Sequence, residues 1–204
     1  MIKTIIFDFG DIFINLDKPA IERELLALGI KEITPKMYDL AAQYEKGLIS
    51  TENLTKFFTS GNWGISEKEL HSAWNSIILD FPEYRLEFIE SLHVQKRFNT
   101  ILLSNTNELH IEQVKKNMGE DRYERFKNCF DQFYLSHEIH LSKPNRDIYE
   151  FVLKKNSLKA SECLFIDDTK ENTDAAQELG IHIWNLIPGE DDIIDLFKIK
   201  KSVF

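Results

Sequence analysis

The sequence predicts an α/β fold, a doubly wound parallel sheet with an inserted helical segment, and three observations carry that prediction. Apolar runs at residues 4–7, 100–103 and 164–166 each stop abruptly at polar residues, as strands buried on both faces do. Helix-period segments separate the later runs, and strand-helix-strand alternation implies parallel pairing through right-handed crossovers. Helix punctuation fits the same order, with Gly119 and Gly180 closing helical segments and Pro144 preceding one.

The elements follow in sequence. The first strand, 4–7, runs into Asp8-Phe9-Gly10-Asp11. Residues 15–99 are far more than a crossover needs, so they hold a substructure of their own. Ile21, Leu25 and Leu28, and later Leu54, Phe57 and Phe58, recur at helical spacing, while Gly29, Pro35, Gly47, Gly61 and Gly64 punctuate the stretch. Four or five helices are expected there, with Ser50/Asn53 and the capping box Ser66/Glu69 as start signals. Phe57, Phe58, Trp63 and Trp74 read as the core of this insertion. The second strand ends in Ser104-Asn105-Thr106-Asn107 and leads to a helix over 107–118. Strands at 132–135 and 182–185 complete the sheet, and helices over 145–155 and 169–179 follow Pro144 and the Asp167-Asp168 pair.

Composition narrows the function classes. With 204 residues, 43% hydrophobic and 29% charged, the chain fits one soluble domain carrying an insertion. A net charge of −9 repels phosphodiester backbones and anionic lipid, so neither nucleic acid nor a membrane surface is an expected partner. No apolar run approaches the ~20 residues of a membrane span. The apolar start of the chain is cut off by Asp8, unlike a signal peptide, which points to the cytoplasm. Cys129 and Cys163 lie beside apolar residues and read as buried free thiols. His137 and His140 are three apart, but no third ligand of matching type lies near them. Gly10 stands alone and makes no phosphate loop.

Ligands of open parallel sheets bind at the carboxyl ends of the strands, so the polar residues there should converge. They are Asp8, Ser104, Asn105, Lys143, Asp167, Asp168 and Asn172. Clustered carboxylates repel one another, and a hard divalent cation with oxygen ligands, Mg²⁺ where phosphate is also bound, relieves the repulsion. A lysine and a hydroxyl beside it suit a phosphoryl group, and an aspartate can attack phosphorus and carry it covalently.

Four ordered segments, Asp8-Phe9-Gly10-Asp11, Ser104-Asn105-Thr106-Asn107, Lys143-Pro144 and Asp167-Asp168 followed by Asn172, resemble the motifs of the haloacid dehalogenase-like hydrolase superfamily. The Phe-Asp-Phe-Gly opening and Leu-Ser-Asn-Thr-Asn-Glu-Leu-His are similar to its sugar-phosphatase branch, which includes the bacterial α-glucose-1-phosphatases. The resemblance implies a Rossmann-like core at 1–14 and 96–204 and a helical cap at 15–95 that reads the leaving group. It implies Asp8 as nucleophile, the carbonyl of Gly10, Asp168 and Asp167 about the metal, and Ser104, Asn105 and Lys143 about the phosphate. Asn172 and Asp11 would support the site, and Tyr44-Glu45-Lys46-Gly47 would supply substrate contacts, Tyr44 and Glu45 above all. The activity implied is a Mg²⁺-dependent phosphomonoesterase of a small phosphorylated metabolite such as a sugar phosphate, in a monomer or weak dimer. A phosphomutase, a dehalogenase, and a relative that binds ligand with little turnover are the alternatives.

One departure stands out. Most phosphatases of this superfamily carry a second Asp two residues after the nucleophile, as general acid and base, and here that residue is Gly10. Asp11, Asp17, a water or a substrate group remain as replacements.

Overall fold

The computed structural model describes residues 1–204. Five parallel strands form one sheet: β1 (Thr4–Phe7), β2 (Asn99–Ser104), β3 (Gln132–Leu135), β4 (Cys163–Asp167) and β5 (His182–Asn185), in the order β3-β2-β1-β4-β5. Registers such as Phe7↔Leu102 and Phe7↔Ile166 align the ends of β1, β2 and β4. All five expected strands are present. The order reverses between β1 and β4, so the crevice at the switch point opens beyond Phe7 and Ile166, where Asp8 and Asp168 follow.

Alternation along the strands divides the core. Ile5 and Phe7 share one apolar cluster with Leu102, Leu164 and Ile166; Ile6 shares another with Ile101, Leu103 and Phe165. The first face is covered by α5 (Glu83–Gln95), α6 (Glu108–Met118) and α7 (Glu120–Lys127), the second by α9 (Arg146–Lys155) and α10 (Lys170–Glu178). A phenylalanine cluster fills the first face, with the Phe13 ring 5.0 Å from Phe126 and 5.5 Å from Phe7 between centroids. Each fully buried ring contributes about 1.5–3 kcal/mol relative to an exposed one.

Sequence periodicity did not anticipate α7. Its eight residues hold only two buried apolar side chains, Tyr123 and Phe126, and the helix forms because Phe126 inserts into that cluster. Gly119, at φ 83°, ends α6 and starts α7, a backbone angle that glycine adopts without steric cost. The single-turn α8 (Ser136–Ile139) was not anticipated either.

Between β1 and β2 lie α1 (Ala20–Ala27), α2 (Pro35–Glu45), α3 (Thr51–Thr59), α4 (Glu67–Asn75) and α5. The capping box at Ser66 forms in both directions: Glu69 N donates to Ser66 Oγ, and Ser66 N donates to Glu69 Oε2. Helices α1 to α4 have a core of their own, with Leu54, Phe58, Leu70 and Trp74 among its buried residues. Helix α5 packs differently, since its Leu86, Ile89 and Leu92 join the cluster beneath the sheet. Both cysteines are buried and free. No helix is long and apolar enough to cross a membrane.

Candidate active site

Asp8 extends β1 by one more ladder bond, its N–H donating to the Ile166 carbonyl at 2.9 Å. It is buried, and a carboxylate there needs a cation. Lys143, whose side chain is wholly enclosed, supplies one: its Nζ lies 2.8 Å from Asp8 Oδ1 and 2.7 Å from Asp167 Oδ2. The contact with Asp8 is off the hydrogen-bond axis, so Oδ1 has a close charge but no directional donor. Burial pushes the Asp8 carboxyl well above the usual carboxylate range, and Asp167 and Asp168 add to the rise against the opposing charge of Lys143. Burial alone would discharge Lys143, but Asp167 and Asp8 outweigh it and keep the ammonium charged.

Asn105 fixes that lysine. Its Nδ2 donates to the Lys143 carbonyl and its Oδ1 accepts from Lys143 N, both at 2.9 Å. The amide expected to meet phosphate is therefore committed to the backbone of the neighbouring loop. The Lys143–Pro144 peptide is cis.

Asp167, the last residue of β4, is fully engaged. Oδ1 accepts from Thr169 N at 2.8 Å and Asn172 Nδ2 at 3.0 Å; Oδ2 accepts from Lys143 Nζ and from Asn172 Nδ2 at 3.1 Å. With two donors on each oxygen, it serves the site by holding Lys143. Asn172 thus contacts the site through both oxygens of Asp167.

Asp8, Asp167 and Asp168 offer carboxylate oxygens that all lie within 4.8 Å of one another. That donor set, all hard oxygens on a buried and mutually repelling cluster, fits Mg²⁺. Asp8 and Asp168 carry the free capacity, and the Gly10 backbone lies beside them in the same cavity.

The cavity has a volume of about 520 Å³, and Asp8, Ser104, Asn105, Lys143 and Asp168 line it together with Glu45 from the end of α2. Ser104 Oγ makes only a long contact of 3.5 Å with the Asn105 carbonyl. Tyr44 is not in the wall. Its hydroxyl accepts from Leu109 N at 3.2 Å and pairs with Thr51 Oγ1 at 2.8 Å, so it ties α2 to α6 from the interior, a correction to its expected substrate contact. Asp11 turns away as well: Oδ1 accepts from Leu16 N, and Oδ2 lies 3.2 Å from Lys18 Nζ. Asp17 pairs with Arg23 on the surface.

Two lining residues were missed by sequence reasoning. Lys18 Nζ donates to Asp168. Burial of that ammonium is outweighed by the bond and charge of Asp168, and its affinity for the proton is raised. His110, on the first turn of α6, donates through Nε2 to the Trp74 carbonyl at 3.1 Å and accepts at Nδ1 from Asn107 Nδ2 at 3.0 Å. Burial holds it down to about 4, a neutral imidazole bridging α6 and α4. Lys18 looks like any surface lysine in sequence, and no periodicity marks His110.

Known proteins are similar to this chain over most of its length. The family model of haloacid dehalogenase-like hydrolases matches residues 2–180. D-ribitol-5-phosphate phosphatase of Bacteroides thetaiotaomicron is 25% identical over 197 residues, spanning 94% of this chain and 95% of that protein. Among solved structures, an alanine variant of the HAD family enzyme bt-2542 from B. thetaiotaomicron, in complex with magnesium and inorganic phosphate, superposes with a TM-score of 0.82. It shares 32% identity and covers 94% of this chain and 96% of its own. A predicted HAD-like hydrolase from Porphyromonas gingivalis gives a TM-score of 0.79 at 26% identity, over 98% of both chains.

Proposed function

The chain belongs to the haloacid dehalogenase-like hydrolase family, among its Mg²⁺-dependent sugar-phosphate phosphatases, and from that premise we propose that Asp8 attacks the phosphorus of a small sugar or polyol phosphate. The observation that carries this reading is the placement of Asp8 beside the Lys143 ammonium and within one carboxylate cluster at the sheet's switch point.

In this reading Asp8, the Gly10 carbonyl and Asp168 hold Mg²⁺, which when bound supplies charge neutralisation for the cluster and the phosphoryl oxygens. Asp8 displaces the alcohol and becomes an aspartyl-phosphate, which water then hydrolyses. Lys143 lowers the cost of ionising Asp8 and faces the phosphoryl oxygens, and Ser104 Oγ donates to one of them. Asn105 and Asp167 orient Lys143. The cap closes the cavity from the side opposite the sheet. We divide the chain into a core at 1–14 and 96–204 and a cap at 15–95, whose last helix, α5, packs against the core. The expected partner is the metabolite alone, handled by a monomer or weak dimer. Buried free thiols favour a reducing compartment, the cytoplasm.

Phosphate release from sugar phosphates, ribitol 5-phosphate and an aryl phosphate, with Mg²⁺ or EDTA, tests this for wild type and Asp8→Asn. Turnover that needs both Mg²⁺ and Asp8 upholds the reading; wild-type release equal to that of Asp8→Asn on every ester refutes it. A second reading, a phosphate binder with little turnover, has one observation in its favour, the absence of a carboxylate at position 10, and the same assay separates the two.

A further inference from the structure

Hydrolysis of an alkyl phosphate puts charge on a poorly stabilised leaving oxygen, and a positioned acid is worth roughly 10²- to 10⁴-fold there. Position 10 cannot provide it without rearrangement, because a Cβ on Gly10 would lie 2.6 Å from Leu16 Cδ1. The other ionisable groups near the cavity are committed elsewhere. Asp11 faces Leu16 N and Lys18. Lys18 is bound to Asp168 and Asp11, which hold its proton. Both ring nitrogens of His110 are engaged. Glu171, at the rim, is exposed.

We propose that Glu45, at the end of α2, is the general acid and base of this site, in place of a carboxylate two residues beyond Asp8. The inference rests on the phosphatase reading above. Glu45 lines the catalytic cavity and also the adjoining chamber of about 400 Å³ beneath the cap, whose walls include Ile21, Leu25, Met37 and Trp74. It stands at the junction that the scissile oxygen must occupy when phosphate sits at Asp8 and the organic group fills the chamber.

The segment around it is fixed to the core at four consecutive residues. Leu109 N donates to the Tyr44 hydroxyl, Ser136 Oγ to the Glu45 carbonyl at 2.6 Å, and His140 Nδ1 to the Lys46 carbonyl at 2.9 Å. Gly47, at φ 64°, is pressed so close that a Cβ would lie 2.1 Å from the His137 carbonyl oxygen. So constrained a backbone fixes where the Glu45 side chain begins and limits the positions its carboxyl can reach. Burial raises the Glu45 carboxyl above the usual range, against Lys143, Lys46 and a hydrogen bond with Asn105, the direction that favours a proton donor.

In the first step an Asp8 oxygen bonds to phosphorus, the P–O bond to the leaving group breaks with its electron pair going to oxygen, and the Glu45 proton passes to that oxygen. Alcohol, aspartyl-phosphate and Glu45 carboxylate result. In the second step Glu45 takes a proton from water as the water oxygen bonds to phosphorus and the Asp8–P bond breaks. Inorganic phosphate leaves, and both side chains return to their starting states.

The test compares wild type, Glu45→Gln and Glu45→Asp on glycerol 3-phosphate and p-nitrophenyl phosphate, by rapid quench and steady-state kinetics at saturating Mg²⁺. For Glu45→Gln the alkyl ester should lose roughly 10²-fold or more, because its alkoxide needs a proton. The aryl ester should still give a burst of p-nitrophenol, about one equivalent per site, followed by slow phosphate release. Glu45→Asp should recover part of the alkyl rate. Loss of the phosphorylation rate by one common factor on both esters, or an undiminished alkyl rate, overturns the proposal. If Glu45→Gln does not fold, as judged by its melting temperature, the alkyl-to-aryl ratio of Glu45→Asp makes the same distinction. Absence of Asp8-dependent release in the wild type itself would be the failure of the phosphatase reading, a separate result.

Discussion

Asn105 grips Lys143 by its backbone, donating to its carbonyl and accepting from its N–H at 2.9 Å each. The ammonium that touches Asp8 is thus aimed by a residue 38 positions earlier in the chain. Replacing Asn105 with Ala removes two bonds of about 1 kcal/mol each and frees the lysine loop. We expect kcat to fall about 10- to 100-fold, the scale of a misplaced catalytic group, while the fold persists. Steady-state kinetics beside a thermal melt check this.

Lys143→Met should act on stability first. It leaves Asp8 and Asp167 buried without their cation, a loss of roughly 3–5 kcal/mol for a broken buried pair. The deficit should shrink on adding Mg²⁺, which restores positive charge to the cluster. Urea midpoints with Mg²⁺ and with EDTA measure it.

His110 gives the protein an acid limit. Its folded pKa of about 4 lies below the unfolded value of ~6.5, so the stability it confers is present above 6.5 and is lost as pH falls toward 4. Between pH 7.5 and 5.0 that loss is about 2 kcal/mol. Asp8 works in the opposite sense: its raised pKa makes ionisation costly as pH rises above the ordinary carboxylate range. The His110 share is isolated by comparing wild type with His110→Gln, whose decline from pH 7.5 to 5.0 in urea titrations should be shallower by that amount.

Lys18 and Mg²⁺ draw on the same carboxylate, Asp168. Removing the competing ammonium with Lys18→Met should lower the Mg²⁺ concentration needed for half of the thermal stabilisation. Because the readout is a melting temperature rising with ligand occupancy, it is independent of turnover. An unchanged or raised concentration would show that Lys18 does not compete.

Gly10→Ala should cost about 1 kcal/mol or less, since the new methyl group meets only the movable end of the Leu16 side chain. Combining it with Leu16→Ala should recover part of that cost, a non-additivity that a double-mutant cycle of denaturant midpoints detects.

Sequence alone determined the strands and the chemistry at their ends. A strand buried on both faces must be apolar throughout and must end where polar side chains begin, so Asp8, Ser104 and Asp167-Asp168 were legible as strand termini facing one crevice. Capping at Ser50 and Ser66 was legible for a similar reason, because the bond is made within three residues. Tertiary structure decided what distant residues do to one another. Lys18 meets Asp168 across 150 residues of chain, and no local pattern encodes that contact. Tyr44 and Glu45 are adjacent in sequence, yet one braces the interior and the other lines the cavity. Asp167 and Asp168 are the same residue type side by side, yet four donor contacts occupy one while the other lines the crevice and meets Lys18. Helix α7 depends on a phenylalanine cluster assembled from several elements. Local sequence fixes backbone periodicity and hydrogen bonding over a few residues, whereas charge state, donor saturation and solvent access depend on which surfaces meet when the chain folds.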